Sequence, residues 1–324
     1  MVTPFSKLKI RWREKINIKI IQFNSLLFFA LLTFNAYAGF DEIVVFGDSL
    51  SDTGNIASIN GSFPTPPFFE SNRVSNGPVA VEGLAEKLGL RIEPSMHLVG
   101  GFSGRNYAVA GARAAGDDPI DLTTQVGTYL LHNGGDASTN SLYVMFIGGM
   151  DVRIARGLSR VDAEAALNSA TLAIDQQLRL LIAAGAQHFL VVNSPNVGAI
   201  PETQLLAGVN DNKHLVKQTK KRNDSEYFNR QLAKNVKRIE RDTGHDLVLF
   251  DLFSYLNKIL ENSNALAYTN TVDACYSTVS FSFNEGCESG QRFSKYLFFD
   301  EVHPTGRTHE RISRALFAEV PEGI

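Results

Sequence analysis

Four short apolar runs, Ile43 to Phe46, Leu142 to Ile147, Phe189 to Val192 and Leu247 to Phe250, recur along the chain with long helical patterns between them. Runs that are apolar at every position, not at alternate ones, read as strands buried on both faces, the condition of a parallel sheet. Helices are expected over residues 79–88, 120–131, 162–184 and 213–243, with Gly185 and Gly244 placed as stops. Strand followed by helix, repeated, implies right-handed crossovers and a three-layer α/β/α sandwich around a mostly parallel sheet. In such folds ligands bind beyond the carboxyl ends of the strands, so the chemistry is expected just after each apolar run.

The amino end has a different character. Lys7, Lys9, Arg11, Arg13, Lys15 and Lys19 lead into an apolar run from Ile20 through Leu32, followed by Ala36-Tyr37-Ala38. This is the pattern of an export signal cleaved after Ala38, giving a secreted or periplasmic protein. The alternative is an uncleaved anchor, but Gln22, Asn24 and Ser25 interrupt the run, which falls short of the roughly 20 apolar residues a bilayer span needs. Residues 39–324 carry no linker, repeat or low-complexity tract and are expected to form a single domain. Without the leader the formal charge moves from −3 to −8, which argues against non-specific nucleic-acid binding. Cys275 and Cys287, twelve positions apart in an exported chain, are expected to form a disulfide, with two buried free thiols as the alternative. Closing so short a loop contributes roughly 3 kcal/mol in the chain-entropy account.

Two segments suggest nucleophilic catalysis. Ser49 follows the first strand in Gly47-Asp48-Ser49-Leu50-Ser51-Asp52-Thr53-Gly54-Asn55, where it is either a nucleophile or a helix N-cap. Near the other end, Phe298-Phe299-Asp300-Glu301-Val302-His303-Pro304 places a carboxylate three residues before a histidine at the start of a last helix. A serine hydroxyl needs a base, and the base needs a partner that fixes its tautomer; Asp300 and His303 suit these tasks. The alternative for that pair is a capped helix start with a surface histidine. Glu301 reads as solvated, and His97, His132, His188, His214, His245 and His309 read as ordinary surface or core residues. An oxyanion needs donors too: Gly111, in Asn106-Tyr107-Ala108-Val109-Ala110-Gly111-Ala112, offers one backbone N–H and Ser49 a second. Gly148-Gly149-Met150-Asp151 is a third loop on the same sheet edge.

These segments resemble the GDSL family, also called SGNH hydrolases, and especially its secreted phospholipase A, lysophospholipase and glycerophospholipid:cholesterol acyltransferase branch. The resemblance runs from Phe46 to Arg307, carried by Phe46 through Asn55, Asn106 through Gly111 and Phe299 through Gly306. Asn196 through Pro201 and Asp251 through Asn257 lend weaker support. It implies a flavodoxin-like sheet, Ser49 as nucleophile, His303 as base, Asp300 behind it, and oxyanion N–H groups from Ser49 and Gly111. The family's third block is Gly-x-Asn-Asp, whose Asn side chain completes the oxyanion hole; here that position is Met150. A thioether cannot donate, and loss of one such donor costs on the order of 3 kcal/mol in other hydrolases. Three outcomes are open: a slowed esterase with two backbone donors, a replacement donor such as Asn55 or Asn196, or a triad-bearing lipid binder.

The expected substrate is a fatty acyl ester of a phospholipid or lysophospholipid, with transfer to an alcohol or sterol as a variant and transient contact with a membrane surface. A carbohydrate O-acetyl esterase is the competing enzyme class. Phe63-Pro64-Thr65-Pro66-Pro67-Phe68-Phe69 is either an acyl-channel wall or a proline-stiffened core loop, and the Cys275–Cys287 loop is expected to act as a flap. No metal, nucleotide or flavin is implied, as neither a glycine-rich phosphate loop nor a metal-ligand cluster is present in the sequence.

Overall fold

β1 (Glu42–Gly47), β2 (Ser141–Phe146), β3 (His188–Val192) and β4 (Leu247–Phe250) form a parallel sheet in that order, pairing Val44 with Tyr143, Val144 with Leu190 and Val191 with Leu249. The computed structural model describes residues 39–61, 72–209, 223–287 and 293–320. All the elements named here belong to a unit spanning Tyr37–Ile324, and the expected export leader lies outside the described residues. Every residue of β2 is buried, as the unbroken apolar run requires of a strand covered on both faces.

A fifth, irregular strand flanks β1. Val45 N–H donates to Arg105 O at 3.0 Å, Tyr107 N–H to Val45 O at 2.7 Å and Val109 N–H to Gly47 O at 3.1 Å. Because this segment precedes β2 in the chain, the sheet reads second, first, third, fourth, fifth, which is the flavodoxin-like order. The order reverses between β1 and β2, so the crevice beyond their carboxyl ends is the binding position the topology favours.

The helices are α1 (Asn55–Asn60), α2 (Ala80–Lys87), α3 (Leu122–His132), α4 (Gly149–Ala155), α5 (Arg160–Ala183), α6 (Pro201–Val209), α7 (Asp224–Thr243), α8 (Leu252–Glu261) and α9 (Gly306–Glu319). α3, α4 and α7 pack against α5 in one layer. α2 packs against α9 in the other, where the Tyr255 hydroxyl of α8 donates to Arg311 O at 2.9 Å. α7 shows why such a charged segment is helical: Phe228, Leu232, Val236 and Ile239 recur at helical spacing and are buried, while its charges face outward. Asn223 caps its start and Gly244, at φ 74°, ends it. The part of this helix expected before residue 223 falls outside the described residues.

Beyond the sheet, β5 (Asn270–Ala274) runs parallel to β8 (Tyr296–Phe298), and β6 (Tyr276–Ser277) pairs with β7 (Ser282–Phe283) as a hairpin. Cys275 and Cys287 are bonded across its base, with Cα atoms 5.5 Å apart. Both sulfurs lie in a small apolar cluster with Tyr276, Tyr296 and Phe299, separate from the main core.

Candidate active site

The end of β1 is fixed before the chain reaches Ser49. A side chain at Gly47 would place its Cβ 2.5 Å from Phe146 O, so only glycine lets β1 and β2 approach so closely there. The side-chain amide of Gln125, on α3, grips the same residue from both sides, accepting from Gly47 N–H at 2.9 Å and donating to Gly47 O at 2.8 Å. The chain then turns: Ser51 and Asp52 N–H both donate to Asp48 O at 3.0 Å. Ser49 stands in this turn and is not a helix cap, since α1 begins only at Asn55. The N-cap is Gly54, and just before it the buried Asp52 carboxylate accepts from Gly54 and Asn55 N–H at 2.7 Å and from Ile56 N–H at 3.1 Å.

The opposite wall comes from the loop after β8. Phe299 N–H donates to His303 O at 2.8 Å, closing a tight loop that turns Asp300 and His303 inward, and Thr305 caps α9. Asp300 is 3% exposed. Its carboxylate accepts from the His303 backbone N–H at 2.6 Å and lies 2.9 and 2.8 Å from His303 Nδ1. A carboxylate there accepts only, so Nδ1 carries the ring proton and Nε2 is left as an acceptor. His303 Nε2 is 2.8 Å from Ser49 Oγ, across 254 positions of sequence. The arrangement can move a proton from the hydroxyl to an imidazole whose orientation is already set.

Gly111 borders the same space at φ 89°, on a segment held by two buried carboxylates. Asp52 accepts from Ala110 N–H at 2.8 Å, and Asp151, the third residue of α4, accepts from Ala114 N–H at 2.8 Å and Ala115 N–H at 3.1 Å. Asn106 and Asn55 brace the segment, Asn106 donating to Ser51 O at 2.7 Å and Asn55 to Asn106 O at 2.7 Å and Ala108 O at 2.8 Å. Asn55 therefore cannot be a replacement oxyanion donor, because both amide hydrogens are engaged in buried bonds to backbone. Asn196 donates one amide hydrogen to Asn257 Oδ1 at 3.2 Å and does not line the cavity at Ser49.

Ser49, Gly111, Met150 and His303 open onto one cavity of about 360 Å³, walled chiefly by Leu50, Ile56, Val74, Val197, Ile200 and Val302. Asp48 also reaches it. Burial raises the Asp48 carboxyl to about 6; the bond from Leu50 N–H and the neighbouring His303 ring oppose that rise, and Asp151 adds to it. On the α4 side, Arg153 Nε donates to Glu202 Oε2 at 2.8 Å while Nη2 meets the other carboxylate oxygen, and Arg156 Nη2 donates to Glu202 Oε2 at 2.7 Å. Burial alone would raise the Glu202 carboxyl, but the two arginines hold it down at about 2.

Glu301 departs from its reading as a solvated residue. It is 5% exposed, and its carboxylate accepts from Thr278 N–H at 3.0 Å and from the Thr278 hydroxyl at 2.6 Å. This joins the disulfide hairpin to the residue after Asp300. No described residue of the hairpin borders the cavity, so the expected flap stands as a brace against the Asp300 loop. The Phe63–Phe69 segment lies outside the described residues. Gln125, Arg153 and Glu202 carry no signal in the sequence, because their partners come from distant segments.

Several known proteins are similar over most of this chain. Acetylajmalan esterase 2 of Rauvolfia serpentina is 28% identical over 87% of the chain and 90% of its own length. Lipase 1 of Photorhabdus luminescens is 26% identical over 86% of the chain, which spans half of that protein. Phosphatidylcholine-sterol acyltransferase of Aeromonas hydrophila is 27% identical over 73% of the chain and 66% of its own length. The family model described as GDSL-like lipase/acylhydrolase matches residues 43–316, from β1 into α9, and the chain belongs to that family.

Proposed function

We propose that the chain is an exported serine esterase that cleaves fatty acyl esters of phospholipids or lysophospholipids. The carrying observation is the 2.8 Å contact between Ser49 Oγ and His303 Nε2, with Asp300 on Nδ1, at the mouth of a mainly apolar cavity. Ser49 Oγ bonds to the ester carbonyl carbon as its proton passes to His303 Nε2, and the carbonyl oxygen becomes an oxyanion facing the Ser49 and Gly111 backbone N–H groups. Collapse breaks the bond to the alcohol, which leaves with the proton from His303. Water, deprotonated by His303, then attacks the acyl-enzyme and releases the fatty acid; an alcohol or sterol in place of water gives acyl transfer. Asp300 stabilises the imidazolium in both halves.

The lining supports a long acyl group, since Val197, Ile200, Ile56 and Val74 offer it surface that an acetyl group would leave unused. Export is supported by the leader's pattern and by the disulfide, which persists in oxidising compartments. Among the described residues no helix is long and apolar enough to cross a membrane.

The test uses a fluorophosphonate probe and p-nitrophenyl esters of two to twelve carbons. Wild type is expected to be labelled, Ser49→Ala not, and turnover should peak at eight carbons or more, with free fatty acid released from lysophosphatidylcholine. Equal labelling of both proteins would overturn the nucleophile, and a preference for acetyl esters would replace lipid with a carbohydrate O-acetyl substrate.

A further inference from the structure

Attack by Ser49 builds a negative oxygen in a cavity whose wall is mostly hydrocarbon. Apart from the His303 ring, two side chains on that wall carry nitrogen donors, Asn60 and Arg153. Asn60 is solvent-exposed at the last residue of α1. Arg153 lies one helical turn beyond Met150 on α4, so both project from one face. Its guanidinium is held in place: Nε and Nη2 are committed to Glu202, and Nη1 donates weakly to Met150 Sδ at 3.6 Å.

Resting on the esterase reading, we propose that Arg153 is a catalytic residue that donates from Nη1 to the oxyanion formed on attack by Ser49. The geometry selects this role over recognition of an anionic headgroup. A phosphate or carboxylate is best gripped by two parallel N–H donors, and that edge of the guanidinium is already filled by Glu202. One nitrogen is left, and it contacts the δ atom of residue 150. An asparagine at position 150 would carry its amide at that same δ position, so Nη1 stands within hydrogen-bonding range of the place such a donor would occupy. Sulfur is a weak acceptor that gives up Nη1 to a charged oxygen at little cost. The ion pair with Glu202 makes the donor preorganised, and a charged donor is roughly twice as strong as a neutral one. Glu202 keeps Arg156 as a partner when Arg153 is replaced, so the surrounding loop retains its anchor.

A double-mutant cycle between positions 150 and 153 tests this, with neutral p-nitrophenyl octanoate as substrate. Arg153→Gln is expected to lower kcat about 100-fold with KM changed less than threefold, the signature of a bond made only in the transition state. In the Met150→Asn background the same substitution should cost at least tenfold less, because the new amide takes over the donation. Equal losses in both backgrounds would overturn the proposal, as would a rise in KM confined to anionic substrates. If Arg153→Gln melts early, the cycle is read on Arg153→Lys, which keeps the stem and charge but withdraws the second nitrogen, and equal losses there also overturn it. Failure of the esterase reading looks different: turnover by Ser49→Ala equal to wild type removes both claims, whereas Ser49-dependent turnover indifferent to Arg153 removes only this one.

Discussion

Asp48 sits beside Ser49, yet its own charge works against the fold. Its folded carboxyl is raised from 3.8 to about 6, with burial as the leading cause. The folded state therefore holds the proton more tightly than the unfolded chain, so this contribution to stability is complete below about pH 4 and is lost as pH rises to about 6. The difference is on the order of 3 kcal/mol. Asp48→Asn, which cannot ionise, should gain stability relative to wild type between pH 4 and pH 7; urea unfolding of both proteins at the two pH values checks this, and a constant difference would refute it. Single residues were legible when chemistry depends on short-range order: Asp300 and His303 are three apart, and Ser49 follows its strand directly. Glu301 was misread because a carboxylate between charged and apolar neighbours looks solvated until Thr278 is placed against it. Arg153 was invisible for the same reason, since Glu202 meets it only in the folded chain.

At the level of elements, the turn into α4 sets where residues 150, 151 and 153 point. Gly148 has φ 117°, and a Cβ there would lie 2.3 Å from Phe228 Cζ, in the fully buried part of α7. Gly148→Ala combines left-handed strain with overpacking and should destabilise the protein by about 3 kcal/mol or more in urea unfolding. Adding Phe228→Leu should recover part of that loss; no recovery would mean that the ring is not the obstacle. The disulfide hairpin is the second element with leverage on the site. Replacing Cys275 and Cys287 by serine should cost about 3 kcal/mol and lower kcat severalfold without abolishing it, because the Thr278 to Glu301 tie slackens while Asp300 keeps its own bonds to His303. Unchanged kcat in the serine variant would show that the brace does not reach the Asp300 loop. The strands and long helices were readable from apolar spacing, with ends displaced by one or two residues for α3 and α5. α1, α4 and α6 were not, being short, and α8 was passed over although Leu252, Leu256 and Ile259 recur at helical spacing.

Across the whole molecule, the alternation of apolar runs and helical patterns was enough to imply a layered parallel sheet, and its order is the flavodoxin-like one once residues 105–109 are counted beside β1. That flanking strand escaped notice because its side chains serve the Ser49 turn: Asn106 spends its amide on Ser51 and Thr53 and does not follow an apolar pattern. The crevice between β1 and β2 gathers groups from both ends of the chain, for the order reverses there. The 254 positions between Ser49 and His303 carry a temporal meaning. A ribosome releases residues in sequence, and the imidazole arrives only after the entire sheet has emerged. Until its segment docks, the hydroxyl has no imidazole beside it, so an unfinished polypeptide is chemically silent toward the esters around it.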